Sequence, residues 1–279
     1  MEIEIIEMAE RKAKFILKNS SPAMANSLRR TMMSDIPKMA IDKVEFHLGP
    51  IEADDKEYES ITPLFDEIIA HRLGLVPVPT DLDLFTYQDQ CVCNGVGCPN
   101  CMIMYSLNEH GPGTVLSGNM VPLGNPELKV KDEFIPIVEL TSDQAVLIYA
   151  VAVMGTAKKH VKWQVTSGVG YKYLPKITID SKRASSEGAL NCIKVCPKDV
   201  FGVDGGKLVV ERLKECTLCK SCMDSVNNDG SITVEGDEKN FLFAFETAGS
   251  LTAEQTLNKA AEILSQKASE LSLEVAQLV

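Results

Sequence analysis

CIKVCPKDVFGVDGGKLVVERLKECTLCKSC, residues 192–222, carries five of the chain's nine cysteines, and its spacing decides how this region folds. The bacterial ferredoxin run is C-x2-C-x2-C-x3-C-P; its first three cysteines bind one iron–sulfur cubane and its fourth ligates the other cluster. Cys216, Cys219 and Cys222 form one complete trio. Their fourth ligand must come from the other run, at the cysteine before a proline, which is Cys196 before Pro197. The second set is broken, because Val226 stands where a last cysteine belongs and only Cys192 is left of the upstream trio. One 4Fe–4S cluster is therefore expected, with a 3Fe–4S form after oxidative loss, or zinc in the same thiolates, as alternatives. Cys192 is left over as a buried thiol, a disulfide partner or an auxiliary ligand. Gly205-Gly206 between two short apolar stretches predicts a hairpin. A segment with so few large apolar side chains needs such a staple, since metal–ligand free energy is folding free energy.

Upstream, CVCNGVGCPNC at 91–101 spaces Cys91, Cys93, Cys98 and Cys101 as C-x-C-x4-C-x2-C. Four thiolates this close can converge on one tetrahedral ion, as a structural zinc held by four cysteines requires. Gly95 and Gly97 give the backbone freedom for a tight knuckle. A full cysteine set leaves no open coordination position, so the expected role is structural. The alternative is a loop of free or oxidised thiols.

The 279 residues allow one large domain or two to three small ones. A formal charge of −11 disfavours a direct grip on DNA phosphates and leaves room for basic protein partners. No apolar run approaches a membrane span, and MEIEIIEMAERKAKF alternates acid and apolar residues instead of presenting a basic, then apolar, leader. A cytoplasmic location follows as an expectation, with the cysteines as metal ligands and not as a disulfide framework. The acids of ADDKEYE and SDQ read as solvated surface, and His47, His71, His110 and His160 are scattered. No clustered carboxylates for a two-metal phosphoryl-transfer site are present, so no catalysis is expected of this chain.

Hydrophobic periodicity supplies the elements. MEIEIIE and KAKFILK alternate as strands. SSPAMANSLRRTMMSDIP predicts a helix with Ser21 as N-cap, Pro22 at its first position, and Met24, Leu28, Met32 and Ile36 on one side. MAIDKVEFHLG is a further strand. TPLFDEIIAHRLGLVPV predicts a helix capped by Thr62, with Leu64 and Ile68 on its apolar face and Gly74 as its stop. Residues 108–127 read as an irregular loop. DEFIPIVEL reads as a strand, TSDQAVLIYAVAVMG as a helix capped near Thr141 or Ser142, and 163–180 and FLFAFETA as strands. The last segment carries a capping box, Thr252 with Gln255. In it Leu257, Ala261, Leu264, Ala268, Leu271, Val275 and Leu278 repeat as an a/d seam over three heptads, packing either on the chain's own core or on a partner.

Three segments carry a resemblance. NSLRRTMMSDIPKMAIDKVEF (26–46) resembles the N-L-R-R helix of the alpha-type subunits of DNA-directed RNA polymerase. KHVKWQVTSGVGY (159–171) is similar to their H-A-K-W-x-P segment, with Val161 and Val165 in place of the usual Ala and Pro. FAFETAGSLTAEQTLNKAAEIL (243–264) resembles their closing strand and dimerisation helix. With both cysteine groups, the match is best to the archaeal branch of these subunits, itself similar to the third-largest eukaryotic subunit and the bacterial alpha N-terminal domain. The resemblance implies an α+β fold. Its parts would be a split dimerisation domain (1–50, 165–180 and 229–279), an inserted domain (51–164) and a ferredoxin-like third domain (181–228).

It further implies a heterodimer with the small subunit L, helix against helix through Leu28, Arg29, Arg30, Met32, Leu257, Ala261, Leu264, Ala268 and Leu271. One of the two arginines would meet a large subunit. That pair would be the platform of a nucleotidyltransferase complex, gathering the large catalytic subunits and small subunits N and P, with DNA met only through the complex and no membrane. The cluster would then be structural and a regulator of assembly. The competing reading is a ferredoxin-type electron-transfer subunit of an oxidoreductase, which leaves the heptad helix and the N-L-R-R segment without a role.

Overall fold

The computed structural model describes residues 1–53, 56–180 and 186–278, so two acids of ADDKEYE, at 54 and 55, lie outside the described residues. The fold is α+β and divides into two compact units. One comprises Met1–Met8, Ala13–Arg29 and Gly170–Ala244; the other comprises Ala9–Lys12, Arg30–Val169 and Phe245–Val279.

The first unit holds most of a four-stranded sheet, ordered Glu2–Met8, Lys12–Lys18, Ile232–Thr247, Thr166–Ile179. The two N-terminal strands pair antiparallel from Glu2 opposite Lys18 to Met8 opposite Ala13, with a bulge between Ile5 and Glu7. Phe15, Ile16 and Leu17 are buried, and Phe15 stacks on Phe243 with ring centroids 5.0 Å apart. Tyr171 meets Phe241 edge-on at 5.7 Å, an arrangement that adds to burial through the ring quadrupoles. The hairpin read from Gly205-Gly206 is present: Phe201–Asp204 pairs with Lys207–Val210, and both glycines take positive φ, +54° and +79°. The first helix spans Pro22–Ser34, and Ser21 Oγ accepts from the Met24 amide at 3.3 Å, as its N-cap role requires.

The second unit holds a sheet ordered Lys38–Phe46, Ala145–Gly155, Met102–His110, Val121–Pro122. Here the sequence reading needs correction. The helix expected over 141–155 is the central strand of this sheet, paired from Gly155 opposite Lys38 on one side and from Ala145 opposite His110 on the other. One face of this strand, Val146, Ile148, Ala150, Ala152 and Met154, is buried and the other is covered only in part, with Tyr149 40% exposed. Both faces nevertheless carry apolar residues, so AVLIYAVAVMG lacks the period-2 signal that separates strand from helix. The helix expected from Thr62 begins at Asp66 with Phe65 as its N-cap and no side-chain cap; the Thr62 hydroxyl donates instead to Leu64 O at 2.7 Å. Ile69 and Leu73 are buried in the core and Leu64 packs against it from before the helix, whereas Ile68 is 41% exposed. Gly74 lies inside the helix, which stops at Val76 because Pro77 disfavours helical backbone before it. The loop expected at 108–127 contains short strands, Gly113–Leu116 against Pro136–Leu140 and Val121–Pro122 on the main sheet.

Trp163 is fully buried and donates through Nε1 to Val153 O at 3.0 Å. Gly155 lies flat against its ring, where an added Cβ would come within 2.4 Å of Cε2. The final helix, Ala253–Leu278, starts with the capping box: the Gln255 amide donates to Thr252 Oγ1 at 3.1 Å, and the Thr252 amide to Gln255 Oε1 at 3.0 Å. Its buried residues end at Ala260.

Candidate metal centres and subunit surface

Cys91 follows a 3-10 turn, Gln88–Gln90, and the loop then folds back through Asn94, Gly95 and Gly97, all at positive φ. Gly97 suits the position because its φ of +103° lies where residues with a Cβ are strained. The result gathers four sulfurs within 4.8 Å of one another, with Cys91–Cys98 at 3.5 Å, Cys93–Cys101 at 3.6 Å and Cys98–Cys101 at 3.9 Å. A tetrahedral ion holding four thiolates at about 2.3 Å needs sulfur–sulfur edges of about 3.8 Å, so the spacing fits one ion.

The electrostatics of the loop are consistent with that fit. A hydrogen bond from the Gly97 backbone brings the Cys93 thiol down to about 6, and the Cys93 backbone lowers Cys91. Burial pushes Cys101 up to about 12. Without a cation the loop cannot lose all four protons near neutral pH; a coordinating metal deprotonates thiols outright.

The downstream cysteines are held differently. Cys196 follows the helix Ser186–Val195, Cys216 follows the 3-10 turn Leu213–Glu215, and Cys222 lies in the short helix Ser221–Asp224. Cys196, Cys216, Cys219 and Cys222 line one cavity with Phe201 and Val234, and Lys198 and Lys220 also line it. These sulfurs are not gathered at single-ion spacing; among the described residues only the Cys91 set is. Leu218 and Lys220, flanking Cys219, both take left-handed backbone, φ 60° and 63°. Non-glycine residues adopt that conformation at a cost of about 1–2 kcal/mol each, so the loop is over-determined by its surroundings. The geometry turns backbone amides toward sulfur: Leu218 N lies 3.5 Å from Cys216 Sγ, and Val200 N lies 3.4 Å from Cys196 Sγ. A hydrogen bond from Ser221 lowers the Cys219 thiol, while burial pushes Cys222 up to about 11.

Cys192 lies apart from that cavity. It is fully buried, 3.4 Å from Cys222 O and 3.5 Å from Ser225 Oγ, and burial raises its thiol. All nine cysteines are free of disulfides, so Cys192 stands as a buried thiol without a disulfide partner.

Residues 14–268 match the family described as the RNA polymerase Rpb3/Rpb11 dimerisation domain. The chain belongs to this family. It is 43% identical over 261 residues to DNA-directed RNA polymerase subunit Rpo3 of Thermoplasma volcanium, covering 93% of this chain and 94% of that one. Identity to the Rpo3 subunit of Picrophilus torridus is 41% over 266 residues, covering 95% and 96%; to that of Archaeoglobus fulgidus it is 39% over 271 residues, covering 97% and 96%. The resemblance read from three short segments is thus membership of one family along the chain, and the matched span includes both cysteine groups.

For a dimerisation-domain protein the surface of the helices is the remaining question. Leu28, Met32 and Leu257, read as interface residues, are buried within this chain itself. Arg29 donates to Asn26 Oδ1 through Nε at 3.3 Å and Nη2 at 3.1 Å, and Arg30 is exposed. Leu264 is half-buried, Ala261 and Ala268 are exposed, and Leu271 and Leu278 are 62% and 87% exposed. Sequence reasoning missed Asp35, whose nearly buried carboxylate takes salt bridges from Lys267 on the last helix and from Lys158 at 3.1 Å. Burial alone would raise Asp35, but hydrogen bonds from Lys267, Ser34 and Lys158 outweigh it and hold the carboxyl at about 2. No local signal marks a pair 232 residues apart.

Proposed function

We propose that this chain is a non-catalytic assembly subunit of DNA-directed RNA polymerase in the cytoplasm, pairing with the small subunit L to present a platform for the large catalytic subunits and for subunits N and P. The observation that carries the reading is the last helix. In a family defined by dimerisation, its heptad seam is buried only as far as Leu257, is half-buried at Leu264 and runs on exposed to Leu278. The interface is accordingly assigned to Ala261, Leu264, Ala268 and Leu271 and the residues beyond, with the exposed Arg30 meeting a large subunit. Among the described residues no helix is long and apolar enough to cross a membrane.

In this reading Cys196, Cys216, Cys219 and Cys222 hold one 4Fe–4S cluster, and Cys91, Cys93, Cys98 and Cys101 hold one zinc. Each bound group supplies cross-linking free energy to a loop-rich segment. The amides of Leu218 and Val200 orient the thiolates, and Lys198 and Lys220 offset negative charge at the cavity. Loss of the cluster would loosen its segment, which gives it a regulatory effect on assembly.

The test is anaerobic co-expression with the L-type partner, followed by chromatography with mass measurement and by iron, sulfide, zinc and EPR analysis. A one-to-one heterodimer with about four irons and one zinc per chain is expected. About eight irons would overturn the ligand assignment. A chain that stays monomeric in the presence of partner, or that exchanges electrons reversibly with a carrier, would favour the electron-transfer reading instead.

A further inference from the structure

A second surface lies on the unit that contains Arg30–Val169. Leu48, Ile61 and Phe65, exposed by 81%, 56% and 78%, line one open groove of about 340 Å3 together with Phe46, Leu64 and Leu147. Monomeric proteins seldom gather large apolar side chains around a concavity without a partner for them.

Local structure does not account for the arrangement. Phe65 occupies the N-cap of the helix Asp66–Leu75, where a side-chain oxygen is the favoured choice, and forms no cap hydrogen bond. The nearby hydroxyl that could have capped, that of Thr62, is bonded to Leu64 O. Ser60 Oγ donates to His47 O, tying the rim at 46–48 to the rim at 60–65. One hydrogen bond thus ties the two rims together while Phe65 is exposed between them.

Its charge is one-sided. Of the described residues that line it, only Asp66, Glu67 and His47 are acidic or basic, and both carboxylates are exposed. Both stand in the first turn of the helix Asp66–Leu75, where negative charge is favoured. An occupant that complements this lining brings an apolar anchor for Phe65, Ile61 and Leu48 and a Lys or Arg beside it. The volume suits a few side chains of a short segment.

We propose that this groove docks a short, basic, apolar-anchored segment of another protein chain. The contact is separate from the last helix and from both cysteine sites, and needs neither metal.

The probes are two synthetic peptides of equal Leu and Phe content, one with Lys and one with Glu at its polar positions. The full chain, labelled at Ile, Leu and Val methyl groups, is titrated with each and followed by NMR. The Lys peptide should shift the methyls of Leu48, Ile61 and Leu64 and bind about tenfold more tightly than the Glu peptide at low salt. Phe65→Ser, a change at an exposed site, should abolish the shifts. The double variant Asp66→Asn, Glu67→Gln should keep apolar binding and lose the preference for Lys. Equal binding of both peptides, shifts confined to other methyls, or no shift at all would overturn the proposal. So would a self-association that Phe65→Ser removes, since the occupant would then be a second copy of this chain. None of these readouts depends on the polymerase assignment.

Discussion

Replacing Asp35 by Asn isolates what fastens the last helix to the end of the first. The Asp35 carboxyl is held at about 2 against an unperturbed 3.8. At about 1.4 kcal/mol per pKa unit, a shift of this size is worth roughly 2.4 kcal/mol if fully expressed. Lys267 and Lys158 are about half exposed or more, however, so solvent and salt screen the pair, and about 1 kcal/mol is the better expectation. Because the folded pKa lies below the unfolded one, this stability is fully present above about pH 4 and is lost as pH falls toward 2. Asp35→Asn should therefore cost about 1 kcal/mol at about pH 7, less at high salt, and almost nothing at about pH 2. The assay is amide exchange along 253–278 and urea unfolding, each against pH, for wild type, Asp35→Asn, Lys267→Gln and the double variant. A deficit that persists unchanged at the acid end, or a double-mutant coupling of zero, would refute the pairing argument.

Three further outcomes follow from the geometry. Gly155→Ala drives a methyl into the Trp163 ring and should destabilise the unit by about 1–3 kcal/mol, read as a drop in urea midpoint with unchanged m-value. On the proposed cluster assignment, Cys192→Ser should keep the iron content, because Cys192 does not line the cavity of Cys196, Cys216, Cys219 and Cys222 and Ser can still donate to Cys222 O; Cys219→Ser should lose iron. On the proposed zinc assignment, chelation should expose the four thiols of the Cys91 loop to a colorimetric reagent, and Cys101→Ser, at the most buried of the four cysteines, should lower zinc to near zero per chain.

What the sequence made legible was whatever has a local signature. The strands Glu2–Met8 and Lys12–Lys18 announce themselves by alternation, Ser21-Pro22 and Thr252 with Gln255 by capping chemistry, and Gly205-Gly206 by its need for positive φ. The Cys91 loop is equally local, since eleven residues contain all four cysteines that come together. Failure came where tertiary packing decides. Ala145–Gly155 carries apolar residues on its buried face and on its partly covered one alike, and that pattern does not distinguish strand from helix. Thr62 has the chemistry of a cap, but its hydroxyl satisfies Leu64 O and the helix starts four residues later. The heptad seam of the last helix is read correctly as apolar, but which of its residues the chain buries for itself depends on a fold that periodicity does not encode.

That last helix shows how one element can serve two surfaces. Its first turns are fixed from within: the capping box satisfies orphan amides, Thr256, Leu257 and Ala260 are buried, and Lys267 reaches Asp35. Beyond Lys267 the sequence keeps Leu271, Leu273, Val275 and Leu278, all half exposed or more. A few helical turns without tertiary packing are marginal in water, because nucleation is unfavourable and propagation gives little per residue. Here nucleation is already complete upstream, so the exposed turns continue an existing helix and present their apolar seam in a fixed register. A partner helix meeting that seam has no ordering entropy of this segment to overcome, which lowers the cost of association. On the proposed pairing, disrupting the Asp35 anchor should then weaken heterodimer formation by more than its effect on the isolated chain. The seam would lose its pre-set register as well as the ion pair.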